Sequence, residues 1–282
     1  MSRVVVVGAG TMGSGIAHVF AQSGWDAVLV DTSQAALDRA LETIRRNLER
    51  QVRKGALSAD ASALALSRVY ARTGVNGAPA PDLAVEAATE DRQVKRGIFR
   101  DLDAALASTA ILASNTSSIS IESLASATRR PTQVIGMHFM NPVPLMPLVE
   151  VVRGPATSDA TVEHVVEIAR ALGKTPVVVR DSPGFVSNRV LMPMINEAVF
   201  CVEEGVATAE DVDAIMKLGM SHPMGPLALA DLIGLDVCLA ILEVLHRDLR
   251  NDKYRPAPLL AQLVREGRLG KKSGRGFYVY RD

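Results

Sequence analysis

An α/β chain, with a mainly parallel sheet covered by helices and followed by an all-α domain, is what the sequence predicts, on three observations. The chain opens on a β-branched apolar run that leads into a glycine-rich turn and then a helical pattern. Strand-like and helix-like segments alternate through the first two-thirds, the pattern of a doubly wound parallel sheet. After a Pro-Gly turn at Pro183-Gly184 the alternation stops, and long apolar helical patterns take over. With 282 residues, 48% of them hydrophobic and 22% charged, the chain can form two domains with sizeable cores. The expected division is 1–183 and 184–282.

Val4-Val5-Val6-Val7 reads as a buried parallel strand, followed by Gly8-Ala9-Gly10-Thr11-Met12-Gly13 and by Ile16, Val19 and Phe20 at helical spacing. This is G-x-G-x-x-G in its strand–turn–helix context. The first glycine permits the tight turn, the second lets backbone approach a pyrophosphate, and the third lets helix and strand pack closely. The helix N-terminus then faces the phosphates. The same turn could bind nothing, but an acidic residue at the expected distance argues otherwise. Asp31 ends the second strand, 27–30, 18 positions beyond Gly13. A carboxylate there accepts hydrogen bonds from ribose hydroxyls and repels a 2′-phosphate, which favours NAD and leaves NADP a weaker alternative. Arg39, Arg45 and Arg46 in the following turns partly offset that repulsion. A Rossmann-type domain is expected.

A long helix over 33–54 comes next, then strands at 83–86, 111–113, 134–137, 148–152 and 177–179, with a Gly/Pro-rich loop at 74–81. In the second domain Val190, Leu191, Met194, Ile195, Ala198 and Val199 mark a helix with more apolar surface than a domain of that size can bury. Cys201 and Cys238 lie in apolar helical patterns without CxxC spacing, as free thiols of a reducing compartment do, and no metal site is expected. Lys plus Arg equal Asp plus Glu at 31 each, so the overall charge attracts neither nucleic acid nor an anionic membrane. The first strand begins at Val4 and no apolar stretch approaches the ~18 residues of a membrane span, so a cytoplasmic location without a signal peptide is expected.

The chemistry-bearing segment is Gly136-Met137-His138-Phe139-Met140-Asn141-Pro142. His138 ends an apolar strand, at the sheet edge where open α/β folds place their ligands. A neutral imidazole there can take a proton from an alcohol as hydride leaves the carbon. A histidine bonded in the core is the plainer alternative, and Glu150 argues against it. Glu150 interrupts Leu148-Val149-Glu150-Val151-Val152, where a buried carboxylate needs a partner. Ser117, in Ser114-Asn115-Thr116-Ser117-Ser118, follows another strand end, as a donor to substrate or as a turn or cap residue.

The chain resembles the short-chain L-3-hydroxyacyl-CoA dehydrogenases over essentially its whole length. The resemblance rests on the glycine loop, on 114–118, on 136–144 with Glu150, on Asp181-Ser182-Pro183-Gly184-Phe185-Val186-Ser187-Asn188-Arg189, on His222-Pro223-Met224-Gly225-Pro226, and on 270–278. It implies His138 as acid/base, Glu150 as its carboxylate partner, and Ser117 and Asn188 as donors around the substrate 3-oxygen and thioester, in a cleft between the domains. It implies cofactor contacts at Gly8 to Gly13, Asp31, Glu90, Lys95, Ser117, Asn141 and Lys272. Met140 stands where many relatives carry an aromatic residue and Ser182 where many carry Thr, departures that bear on substrate preference.

On the long helix, Leu37, Leu41, Ile44 and Leu48 form a core stripe, while Arg46, Arg50 and Arg53 recur on another face beside Lys54. By itself that face is a solvated one. The resemblance implies CoA phosphate contacts at Asn47 and Lys54, with Arg50 added from the helical face and Ser117 near the thioester. It further implies a homodimer built on the helical domain. Two other readings remain open: a dehydrogenase of a free 3-hydroxy acid or sugar acid, one branch of which uses a lysine base in place of His138, and a non-enzymatic NAD-binding protein.

Overall fold

The computed structural model describes residues 2–75 and 81–280, so positions 76–80 of the expected loop lie outside the described residues. The chain divides into two compact units, Met1–Ser182 and Pro183–Asp282, one residue before the expected boundary.

Among the described residues of the first unit, eight strands form one sheet: β1 Arg3–Val7, β2 Asp26–Val30, β3 Val69–Arg72, β4 Leu83–Glu86, β5 Ile111–Ser114, β6 Val134–Phe139, β7 Leu148–Arg153 and β8 Thr175–Arg180. Their order is β3-β2-β1-β4-β5-β6-β7-β8. The helices are α1 Thr11–Gln22, α2 Gln34–Arg53, α3 Ala59–Ser67, α4 Arg92–Ala105, α5 Ile121–Ala125 and α6 Asp159–Ala171. The observed class is the expected α/β one, with a mainly parallel sheet. The central strands are buried on both faces, which is why they read as apolar runs broken only by single polar residues such as Glu86 and His138. Several helices start where a side chain satisfies the free N–H groups of the first turn: Ser33 Oγ accepts from Ala36 N at 3.3 Å for α2, and Asp91 from Gln93 N and Val94 N at 2.8 and 2.9 Å for α4.

Two features differ from the expectation. Strand β3 was not expected, because Val69-Tyr70-Ala71-Arg72 is a short, half-exposed edge strand with no apolar run. The β6–β7 pair is antiparallel within an otherwise parallel sheet. A parallel return needs a crossover of about a dozen residues or more, and residues 140–147 are too few for one. That reversal sets His138 directly opposite Glu150 in the ladder.

The second unit is helical: α7 Ser187–Glu203, α8 Ala209–Gly219, α9 Pro226–Ile233, α10 Leu235–Leu249 and α11 Pro258–Arg265 surround a core that includes Met192, Ile195, Val199, Leu235, Leu242 and Leu260. Its C-terminal segment is tied down by Asp231, which accepts from Phe277 N and Tyr278 N at 3.0 and 2.9 Å. Cys201 and Cys238 are both free thiols. Burial, with Asp236 and Asp231 nearby, pushes the Cys238 thiol up to about 12. Among the described residues no helix is long and apolar enough to cross a membrane.

Candidate active site

Strands β2, β1, β4, β5 and β6 run parallel, so their carboxyl ends share one edge of the sheet. The glycine turn sits on that edge between β1 and α1. A Cβ on Gly8, where φ is +104°, would lie 2.6 Å from the Ala87 carbonyl oxygen, and one on Gly13 would lie 1.7 Å from the Gly8 oxygen. Both positions therefore exclude a side chain by packing. Gly10 differs: a Cβ there meets nothing within 4 Å, so the backbone faces open space. That space is a cleft of about 500 Å³ lined by Ala9, Gly10, Thr11, Asp31, Arg39, Asn47 and Asn141 among others. On the other side of Asp31 lies a second cavity of about 410 Å³, lined by Gly8, Val30, Val75, Val94 and Ile98 among others. Asp31 belongs to both. A trough at a helix N-terminus and an apolar slot meeting at a carboxylate fit a dinucleotide, with pyrophosphate, adenine and ribose respectively. The Asp31 carboxylate is fixed by Ala9 N at 2.8 Å and Ser33 N at 2.9 Å. Met12 is half-buried, with its side chain packed against the core.

His138 is buried near the end of β6, and its Nδ1 lies 2.8 Å from Glu150 Oε2 across the antiparallel ladder. A carboxylate only accepts, so Nδ1 carries the proton and donates it, which leaves Nε2 of the neutral ring with its lone pair. Ser117 Oγ stands 3.1 Å from that Nε2. The Asn115 side-chain oxygen accepts from Phe139 N at 2.9 Å and ties the end of β5 to the residue after His138.

The loop that carries Ser117 is held by Glu90, whose Oε1 accepts from Thr116 Oγ1, Ser117 N, Ser118 N and Ser118 Oγ at 2.5 to 3.0 Å. Burial pushes the Glu90 carboxyl up, but the charge of Lys95 and these hydrogen bonds outweigh it and hold it below the usual carboxylate range. Glu90 therefore stays ionised at neutral pH, and its contribution fades only as pH falls through its lowered pKa. Lys95 is 1% exposed, with its ammonium 2.7 Å from Glu86 and 3.4 Å from Glu90. Its charge is engaged by two carboxylates.

The remaining expected residues are spread more widely. Asn47 lines the larger cleft, and Arg50 and Lys54 continue the same exposed helix face beyond it. Arg53, which at about 100° per residue shares a face with Arg46 and Arg50, also lines a separate hollow facing α3 with Arg45, Leu48 and Val52. In the helical unit, Asn188 is buried in the first turn of α7 and Lys272 Nζ bonds Asp236 at 2.7 Å. Glu86, Ser114 and the Thr116 hydroxyl are site residues that the sequence reasoning missed. Glu86 carries the signal that found Glu150, a carboxylate in an otherwise apolar strand.

A model of the 3-hydroxyacyl-CoA dehydrogenase NAD binding domain matches residues 3–182, and one of the 3-hydroxyacyl-CoA dehydrogenase C-terminal domain matches residues 184–280. This chain belongs to the 3-hydroxyacyl-CoA dehydrogenase family. Among 3-hydroxyacyl-CoA dehydrogenase relatives, it is 53% identical to 3-hydroxybutyryl-CoA dehydrogenase of Bradyrhizobium diazoefficiens, over all of this chain and 96% of that one. It is 42% identical to the mitochondrial hydroxyacyl-coenzyme A dehydrogenase of Homo sapiens, over all of this chain and 92% of that one. The crystal structure of (S)-3-hydroxybutyryl-CoA dehydrogenase from Ralstonia eutropha superposes with a TM-score of 0.96 at 48% identity, covering both chains completely. The cofactor-binding half of this 3-hydroxyacyl-CoA dehydrogenase family member is thus an NAD-binding domain.

Proposed function

We propose that this chain is an NAD-dependent dehydrogenase interconverting (S)-3-hydroxyacyl-CoA and 3-oxoacyl-CoA, with 3-hydroxybutyryl-CoA and acetoacetyl-CoA as its short-chain pair. One observation carries the reading: in a member of this family, Ser117, His138 and Glu150 form a hydrogen-bonded string at the carboxyl edge of the sheet, the edge that also carries the glycine loop.

The residues that would hold NAD are Gly8 to Gly13 and Asp31, joined by Glu90, Lys95, Ser117 and Asn141 from the same unit and by Lys272 from the helical one. NAD bound there would supply the acceptor for the hydride that leaves C3. His138 Nε2 takes the 3-hydroxyl proton, because Nδ1 keeps its own, held in a hydrogen bond to Glu150. The imidazolium that results sits 2.8 Å from a buried carboxylate, which lowers its cost. In reduction the same nitrogen returns the proton. Ser117 Oγ, 3.1 Å from Nε2, orients the 3-oxygen, with Asn188 as the second donor. Asn47, Arg50 and Lys54 hold the CoA phosphates along α2, and Ser117 lies near the thioester. Asp31 favours NAD over NADP by bonding ribose and repelling a 2′-phosphate, while Arg39 in the same cleft leaves NADP as a poorer substitute. The protein works in the cytoplasm as a homodimer through its helical unit.

His138→Ala should lower turnover of acetoacetyl-CoA with NADH by at least the ~10²-fold expected of acid/base catalysis, with NADH affinity kept. Glu150→Gln should lose less and shift the pH profile of kcat. Parent-like turnover in His138→Ala would remove the mechanism, and equal activity on free 3-hydroxybutyrate would remove the CoA assignment.

A further inference from the structure

Glu86 contributes to neither cleft and is fully buried, yet four parts of the site converge on it. Its Oε1 accepts from Lys95 Nζ of α4 at 2.7 Å and from Ala88 N of the loop after β4 at 2.7 Å. Its Oε2 accepts from Ser114 Oγ, at the end of β5, at 2.7 Å. Its own carbonyl accepts from Asn115 N at 2.7 Å. Ser114 Oγ in turn accepts from Thr116 N at 3.1 Å. Each of these partners leads to the loop that carries Ser117, either directly through 114–116 or through Lys95 and Glu90.

We propose that Glu86 is a positioning residue for the dehydrogenase reaction: through Ser114 and the Lys95–Glu90 pair it fixes the 116–118 loop so that Ser117 Oγ stays on His138 Nε2. The role rests on the dehydrogenase reading, in which that contact orients the substrate oxygen. A buried, unpaired carboxylate is costly, and here both oxygens are engaged, by Lys95, Ala88 and Ser114 from three different segments. The charge order is alternating, with Lys95 between Glu86 and Glu90, so neutralising Glu86 draws the ammonium toward Glu90. That same Glu90 carries four bonds from 116–118. The loop then shifts, and Ser117 with it.

Ser114→Ala removes one tether with little change in volume, and Glu86→Gln removes the charge at nearly constant shape. Each is made in the parent and in a Ser117→Ala background, with thermal melting to confirm folding. In the parent, Glu86→Gln should lower kcat for acetoacetyl-CoA roughly tenfold, and Ser114→Ala several-fold, since small misplacements of a reacting group are expensive. In the Ser117→Ala background both effects should shrink below about twofold, because residues acting through one group are not additive. The ¹⁵N signal of His138 Nε2 should move in both single variants. Losses of full size without Ser117, or an unmoved Nε2 signal, overturn the proposal. If Glu86→Gln does not fold, Ser114→Ala decides alone. A parent that turns over no acyl-CoA sinks the dehydrogenase reading instead, and the Nε2 signal then decides the positioning of Ser117.

Discussion

At single residues, packing and ligand space make opposite demands on glycines only three positions apart. A Cβ on Gly13 would overlap the Gly8 carbonyl oxygen at 1.7 Å, an obstacle of backbone that cannot swing away. Gly13→Ala should therefore destabilise the protein by at least the ~3 kcal/mol at the upper end of overpacking effects, read as a lower urea midpoint. Gly10→Ala meets open space, so it should cost about 1 kcal/mol or less, the scale of a poorer helix N-cap. NADH affinity should fall instead, because the methyl occupies the place of a phosphate, and a fluorescence titration reads that directly. A Gly10→Ala protein that melts early yet binds NADH normally would show that its glycine serves the turn and not the ligand. The motif and the task of each glycine are legible in sequence, but the distances that enforce them are not, since they depend on Ala87 and Gly8 meeting their neighbours in space. His138 and Glu150 are legible for a simpler reason, a titratable group and a carboxylate set within apolar strands. Glu86 shows the same pattern at the last position of its strand, where a charged residue is ordinary, and so passes unnoticed.

At the scale of elements, α2 carries two duties on two faces. Leu37, Ile44 and Leu48 are buried against the sheet, with Leu41 half-buried beside them. Arg39, Thr43, Asn47, Arg50 and Lys54 follow one another at steps of three or four residues and so form a single row, of which the first three line the larger cleft. A row of two arginines and a lysine leading out of a phosphate-sized trough suits the polyphosphate end of CoA. Arg50→Ala and Lys54→Ala should each raise KM for acetoacetyl-CoA by about 2- to 5-fold with kcat unchanged, as expected for exposed charges. Raising the ionic strength should blunt the difference. A pantetheine thioester without the nucleotide should be indifferent to both, and an equal rise in its KM would mean that α2 acts through folding. The helix itself is legible from its period and its Ser33 cap. Strand β3 is not, because an edge strand of four half-exposed residues owes its pairing to β2 rather than to its own composition. The antiparallel turn from β6 to β7 could have been read from the length of 140–147, and with it the facing of His138 and Glu150.

For the whole molecule, the question is what covers the apolar surface left outside the helical core. The stripe expected to do so is largely satisfied within its own unit: Ile195 is fully buried, Leu191 and Met194 are half-buried, and only Val190 remains outside, 66% exposed. The surplus lies elsewhere. On α8 and just past its end, Ile215, Leu218 and Met220 are 59%, 86% and 60% exposed, with Ile215 and Leu218 one turn apart. Single exposed apolar residues need no explanation, but a cluster in this unit is the mark of a surface that meets another protein. A second copy is the partner that is always present at the protein's own concentration, and twofold pairing lets one patch serve both sides. Sedimentation at low micromolar concentration should give a species of about twice the 30.1 kDa chain mass. Leu218→Glu should shift it toward the single chain with circular dichroism unchanged, since the buried set around Met192, Ile195 and Leu242 is untouched. A parent that sediments only as one chain would reject the dimer. A dimer indifferent to Leu218→Glu would keep the assembly but move its interface away from α8, toward Val186 and Val190, which lie one helical turn apart and are 53% and 66% exposed.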